Sequence, residues 1–206
     1  MNVNNLSQQK NELEKYYREG CEIEAYYQST YGIQQYRDCV KLPIDINLIA
    51  KQQGYSIEYD NHPINSKLMG YVYPIPKVIV LYKTLSYKEQ RWTIAKAIHL
   101  KKTTAIANPL FLHMGDMDSD IHALLSLLPI SLFKAELSKY IETTEVFDIN
   151  DFLEKLSNIS QIPLFHLAYG YPLLSQLICF ERQKEFAKVD YDITKVTKDE
   201  FENIFY

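Results

Sequence analysis

His99, His113 and His122, with Asp116, Asp118 and Asp120 between the last two, are the residues of this chain best equipped to hold a metal ion or move a proton. Imidazole nitrogens and carboxylate oxygens are the ordinary zinc donors. On a helix, two imidazoles stack one turn apart only when four residues separate them. His99 has no such partner, because Ala95 and Thr103 occupy the positions a turn away; a packed or capped histidine is expected there. The remaining spacings match no recurring ligand pattern. The stretch "GDMDSD", residues 115–120, is expected to lead into a helix N-terminus, where the dipole favours acidic side chains. A calcium loop would need a full alternating oxygen pattern and a closing glutamate, both missing here. No nucleophile elbow is present, so neither a Ser-His-Asp nor a Cys-His set is supported. A site that gathered His99, His113, His122 and Asp118 around one zinc ion is the enzymatic alternative.

The helix that must carry His99 is announced by "SYKE". There the Ser86 hydroxyl can accept the Glu89 amide proton while the Glu89 carboxylate returns to the Ser86 amide. A helix over 87–101 follows, with Trp92, Ala95 and His99 on one face and Ile94 and Ile98 widening it. Lys101 and Lys102 suit its C-terminal dipole. "MDSDIHALLSLLP" predicts a second long helix ending near Pro129, and "ISLFKAEL" another just beyond. Upstream, residues 6–31 read as helix with a weak point at Gly20 and a stop at Gly32. "LPIDINLIAKQQG" predicts a short helix with Asp45 as N-cap, Ile46, Ile49 and Ala50 on one face, and Gly54 at the C-terminal cap. Strands are expected at 55–59 and 77–82, with "GYVY" at Gly70 a third. Pro74 and Pro76 place the connection along a sheet edge. Asp148 and Pro163 mark the starts of two further short helices.

Bulk properties narrow the function. A net charge of −4 lacks the electrostatic footprint of a general nucleic-acid binder. Cys21, Cys39 and Cys179 form neither a disulfide framework nor a CxxC zinc site, which predicts a reducing cytoplasm. The polar start "MNVNNLSQQKNELEKYY" carries no export signal. Residues 162–180 have no formal charge and nearly the length of a membrane span, but two prolines, Gly170, His166 and Gln176 make a poor spanning helix. A buried pair of short helices is expected instead. Tyr16, Tyr17, Tyr26 and Tyr27, drawn from 17 tyrosines, are expected to be half-buried packing residues.

The order helix, strand, strand, helix, helix, together with the local sequences, resembles the ImmA/IrrE family of zinc metallopeptidases. "LPIDINLIAKQQGYSI" is similar to that family's entry segment, and "KVIVLYKTLSYKEQRWTIAKAIHL" to its strand, arginine-aromatic-threonine lead and active-site helix. "DSDIHALLSLLP" is similar to the helix that follows, and "LSNISQIPLFHLAYGYPLLSQL" to the helix pair after it, so the resemblance covers roughly residues 40–180. It implies an α+β, mainly helical, zincin-like domain over 41–145, with an N-terminal helical extension over 1–40 and a C-terminal helical region and tail over 146–206.

The resemblance fails at the chemistry. Matching "RWTIAKAIHL" to the family's HExxH helix puts Lys96 at the first histidine, Ala97 at the glutamate and Leu100 at the second histidine. The family's third ligand falls at or near Asp118. Lysine is a cation without a free lone pair, alanine cannot take a proton and leucine cannot coordinate, so the zinc site is degenerate. Two expectations for Lys96 follow: its ammonium replaces the metal charge beside Asp118, or it snorkels to solvent. The implied function is a binding or regulatory protein without cofactor or membrane, whose partner is a repressor, antirepressor or toxin-like protein of a phage or mobile element. A DNA-binding regulator using the helices over 151–177 is a third reading, opposed by a second helix without lysine or arginine.

Overall fold

The computed structural model describes residues 3–31, 42–61, 68–100, 109–113 and 115–188. Gly32, Cys39, Lys101, Lys102 and the tail from 189 lie outside the described residues. Among those described, seven helices accompany a four-stranded mixed sheet, an α+β architecture. In chain order these are α1 (Val3–Tyr31), α2 (Ile46–Gln52), β1 (Ser56–Asp60), β2 (Leu68–Tyr73), β3 (Val78–Tyr82), α3 (Tyr87–His99), β4 (Leu110–His113), α4 (Met117–Leu127), α5 (Ile130–Thr143), α6 (Ile149–Ser160) and α7 (Leu164–Lys188).

The sheet order is β1-β3-β2-β4. β3 runs parallel to β1 and antiparallel to β2, and β4 pairs antiparallel with the far side of β2. Pro74 and Pro76 therefore lie in the turn between the two inner strands and not along an edge. They are tolerated because the paired residues stop at Tyr73 and resume at Val78, so no ladder hydrogen bond is lost. β4 was not anticipated: four residues are too few to establish an alternating pattern.

Helix α3 is the centre of the molecule. Its capping box forms, with the Ser86 amide donating to Glu89 Oε2 at 2.7 Å and the Glu89 amide to Ser86 Oγ at 3.4 Å. Every residue from Arg91 to Ile98 is buried, as befits a helix covered on all sides. It packs on β2 and β3, on α2 and on α4. The Arg91 guanidinium, itself buried, donates to the carbonyls of Ile44 at 2.7 Å and Ser160 at 3.4 Å. One side chain thus ties the lead-in to α2 and the end of α6 to the same helix.

Helix α1 passes through Gly20 unbroken and packs on α4 and α7. A Cβ at Gly20 would stand 2.8 Å from Ile130 Cδ1, so the missing side chain admits a neighbour and does not weaken the helix. Tyr16 and Tyr27 are buried in the core, while Tyr26 is exposed. One hydrophobic cluster draws on Tyr27, Ile49, Leu81, Trp92, Leu124, Phe152 and Leu177, so the stretches 1–40, 41–145 and 146–206 all contribute to a single core.

The expected second short helix after Pro163 is instead one helix of 25 residues with Pro172 inside it. Proline deprives the carbonyl four residues back of its donor. That residue is Ala168, which is exposed and can give the carbonyl to water. The segment is also less buried than expected. Leu167, Leu174 and Leu177 face the core, whereas Phe165 is 69% and Tyr169 64% exposed. Among the described residues, no single helix is long and apolar enough to cross a membrane, and only the bent pair α4 and α5 reaches that composition together.

Candidate functional site

Lys96 lies in the middle of α3 with 1% of its surface exposed, which rules out snorkelling. Its Nζ donates to Asp120 Oδ1 at 2.6 Å and to the His113 carbonyl at 2.6 Å. Trp92, one turn earlier on α3, donates Nε1–H to the same Asp120 oxygen at 3.3 Å. A buried ammonium, a buried carboxylate and an indole thus join α3 to the first turn of α4 and to the end of β4.

The carboxylate opposite Lys96 is Asp120 and not Asp118. Two residues along a helix turn the side chain through about 200°, so the two aspartates face opposite ways. Asp118 faces α1, where it accepts from the Tyr16 hydroxyl at 2.9 Å and from Lys15 Nζ at 3.3 Å. The Tyr16 hydrogen bond, seconded by Lys15, holds its carboxyl below the usual carboxylate range. Burial, with Asp118 alongside, pushes the Tyr16 hydroxyl up.

Ala97 is fully buried, and Leu100 sits past the end of α3 with non-helical backbone angles. Zinc needs lone-pair donors around an open centre. At the positions where the resemblance would put them stand an ammonium already engaged with its carboxylate, a methyl group and an isobutyl group, so these residues do not fit the metal.

The enzymatic alternative fares no better in placement. His99 and His122 stack with ring centroids 5.7 Å apart. Ser126 Oγ donates to the His122 carbonyl at 2.7 Å, which leaves His99 Nε2 to donate to the same oxygen at 2.6 Å. Burial, with His122 beside it, pulls the His99 imidazole down to about 4. His122 Nε2 stands 3.7 Å from a Glu19 carboxylate oxygen. His113 lies on β4 with its side chain exposed, and Asp118 is turned to α1. Among the described residues no group of three or more His, Cys, Asp or Glu side chains is placed to share a metal ion. The pair α6 and α7, the third reading's DNA-binding element, ends in a helix too long for a short recognition helix, and its stretch 162–180 carries no lysine or arginine.

On the other side of Asp120 the structure opens. A cleft of about 580 Å³ lies between α1, α4 and α7, lined by Leu13, Tyr16, Ile121, Leu124 and Leu173, with Trp92, Asp120 and His166 also in its wall. His166 stacks on Trp92 almost face to face, with centroids 4.0 Å apart and planes 8° from parallel. Burial pulls its imidazole below the ordinary histidine value. The helices α4 and α7 cross closely at Gly170, where a Cβ would stand 2.3 Å from Leu124 Cδ2. Sequence reasoning placed Trp92 on an apolar face, counted His166 only against a membrane span and treated Asp120 as one more acid at a helix start. Their convergence depends on the crossing of α4 and α7, which no local pattern announces. No protein-family model matches the chain, and no curated protein matches it.

Proposed function

We propose that this chain is a catalytically inactive, cytoplasmic relative of the ImmA/IrrE metallopeptidases that serves as a protein-binding or regulatory factor. Its partner in this reading is a repressor or antirepressor of a phage or mobile element. One observation carries the proposal: where the resemblance calls for a metal ligand, Lys96 presents an ammonium buried against Asp120 of the next helix. That ammonium supplies the positive charge a zinc ion would have supplied and joins the same two helices. At positions 96, 97 and 100, lysine, alanine and leucine offer neither the base nor the lone pairs that activating water would need. A scaffold that grips a protein substrate keeps its grip when the catalytic group is gone.

Elemental analysis of the purified protein, after dialysis and again after added zinc and a second dialysis, tests this together with a casein-cleavage assay. No stoichiometric zinc and no zinc-dependent cleavage are expected. One zinc per chain retained through both steps overturns the reading and turns attention back to His99, His113, His122 and Asp118.

A further inference from the structure

The cleft between α1, α4 and α7 is lined by two polar groups with hydrogen-bonding capacity left unused among the described residues. Asp120 is a buried residue that lines this cleft. Lys96 and Trp92 both donate to Oδ1, and among the described residues no side chain donates to Oδ2. His166 is 7% exposed and also lines the cleft; among the described residues neither of its ring nitrogens has a hydrogen bond. These atoms are not sealed from water, so their hydrogen-bonding capacity is open to whatever enters the cleft. Both residues line one mainly apolar cavity within the usual size range of small-molecule sites.

The surroundings select the ligand. Asp120 already has its charge answered by Lys96 at 2.6 Å, so a second cation would be repelled by that ammonium. An anion would meet the bare Oδ2. Lys10 and Glu12 are exposed at the rim, and Asp120 is the one charged group deeper in the lining. A neutral molecule with a ring-sized apolar body meets Tyr16, Leu124 and Leu173, and a single N–H or O–H at its inner end meets Oδ2, with His166 beside it. We propose that this cleft binds a small uncharged aromatic or alicyclic molecule carrying one hydrogen-bond donor, recognised by Asp120 Oδ2 and His166. The inference goes beyond the regulatory reading and is independent of it: zinc retention bears on that reading alone, and ligand binding on this one.

Trp92 is the chain's single tryptophan and lines the cleft, so its fluorescence reports on this site. The probe is N-phenyl-1-naphthylamine, uncharged and with one N–H; its competitor is 1-benzylnaphthalene, in which CH₂ replaces that N–H. Saturable one-to-one energy transfer from Trp92 to the amine is expected. A hydrogen bond to a carboxylate makes the competitor weaker by at least about tenfold. Leu13→Phe, which fills the cleft from α1, should abolish binding while the circular dichroism spectrum is retained. Absence of saturable transfer overturns the proposal, as does equal binding of the two compounds or undiminished binding by folded Leu13→Phe. Should Leu13→Phe not fold, the comparison of the two compounds on the unaltered chain decides alone.

Discussion

Removing Lys96 while leaving Asp120 strands a carboxylate in a wall nine-tenths shut from water, and removing Asp120 strands an ammonium more deeply still. Losing one partner of a buried pair costs about 3–5 kcal/mol, because the survivor keeps its desolvation penalty without its counter-charge. Lys96→Met is therefore expected to lower stability by that amount in urea unfolding at neutral pH. Combining it with Asp120→Asn removes the stranded charge while keeping an acceptor for Trp92. The double variant should be more stable than Lys96→Met alone. If the two losses simply add, the side chains do not act as a unit. Lys96 also reaches the His113 carbonyl, so part of its cost is the end of β4 losing a donor.

Among the elements, the crossing of α4 and α7 leaves no room for a side chain at Gly170. Gly170→Ala forces a methyl into Leu124, and overpacking of this kind costs about 1–3 kcal/mol. A fall of that size in the urea midpoint is expected; an unchanged midpoint would show that the helices slide apart freely. The same crossing marks how far the sequence could be read. Elements with local signals were readable from those signals: Ser86 and Glu89 for α3, Asp45 for α2, Asp148 for α6, the β-branched run for β3. The elements misjudged are those decided by neighbours. Pro172 stays inside α7 because Ala168 faces solvent, and Gly20 stays inside α1 because Ile130 needs the room. Lys96 could be identified as the odd residue on an active-site-like helix, but choosing Asp120 over Asp118 required knowing which face of α4 turns toward α3.

For the whole molecule, one core implies one cooperative unfolding whose stability depends on pH. His99 titrates at about 4 in the folded protein against 6.5 when exposed, with His122, Glu19 and Ser126 around it. Well above pH 6.5 it is neutral in both states and costs nothing. Between 6.5 and 4 the unfolded chain binds a proton that the folded one refuses, so stability falls with pH, by up to about 3 kcal/mol from this group. His166, shifted the same way by burial, adds to the loss. Urea unfolding at pH 7.5 and pH 4.5 should show the fall, and His99→Gln should flatten it; an unchanged slope would assign the dependence elsewhere. The ties of α4 also differ in their access to water. Lys96 and Asp120 are 1% and 10% exposed at their side chains, whereas Lys15 and Asp118, which tie α1 to α4, are 32% and 58% exposed. Dissolved ions screen exposed charges over about 8 Å at physiological strength and about 3 Å at 1 M, and they barely reach sealed ones. Rising ionic strength therefore slackens the wall of the cleft that α1 provides, leaving the packing of Tyr16, Ile23 and Tyr27 and the Tyr27 hydroxyl's hydrogen bond to the Ser126 carbonyl to hold it, while the Lys96–Asp120 junction stays as tight as before.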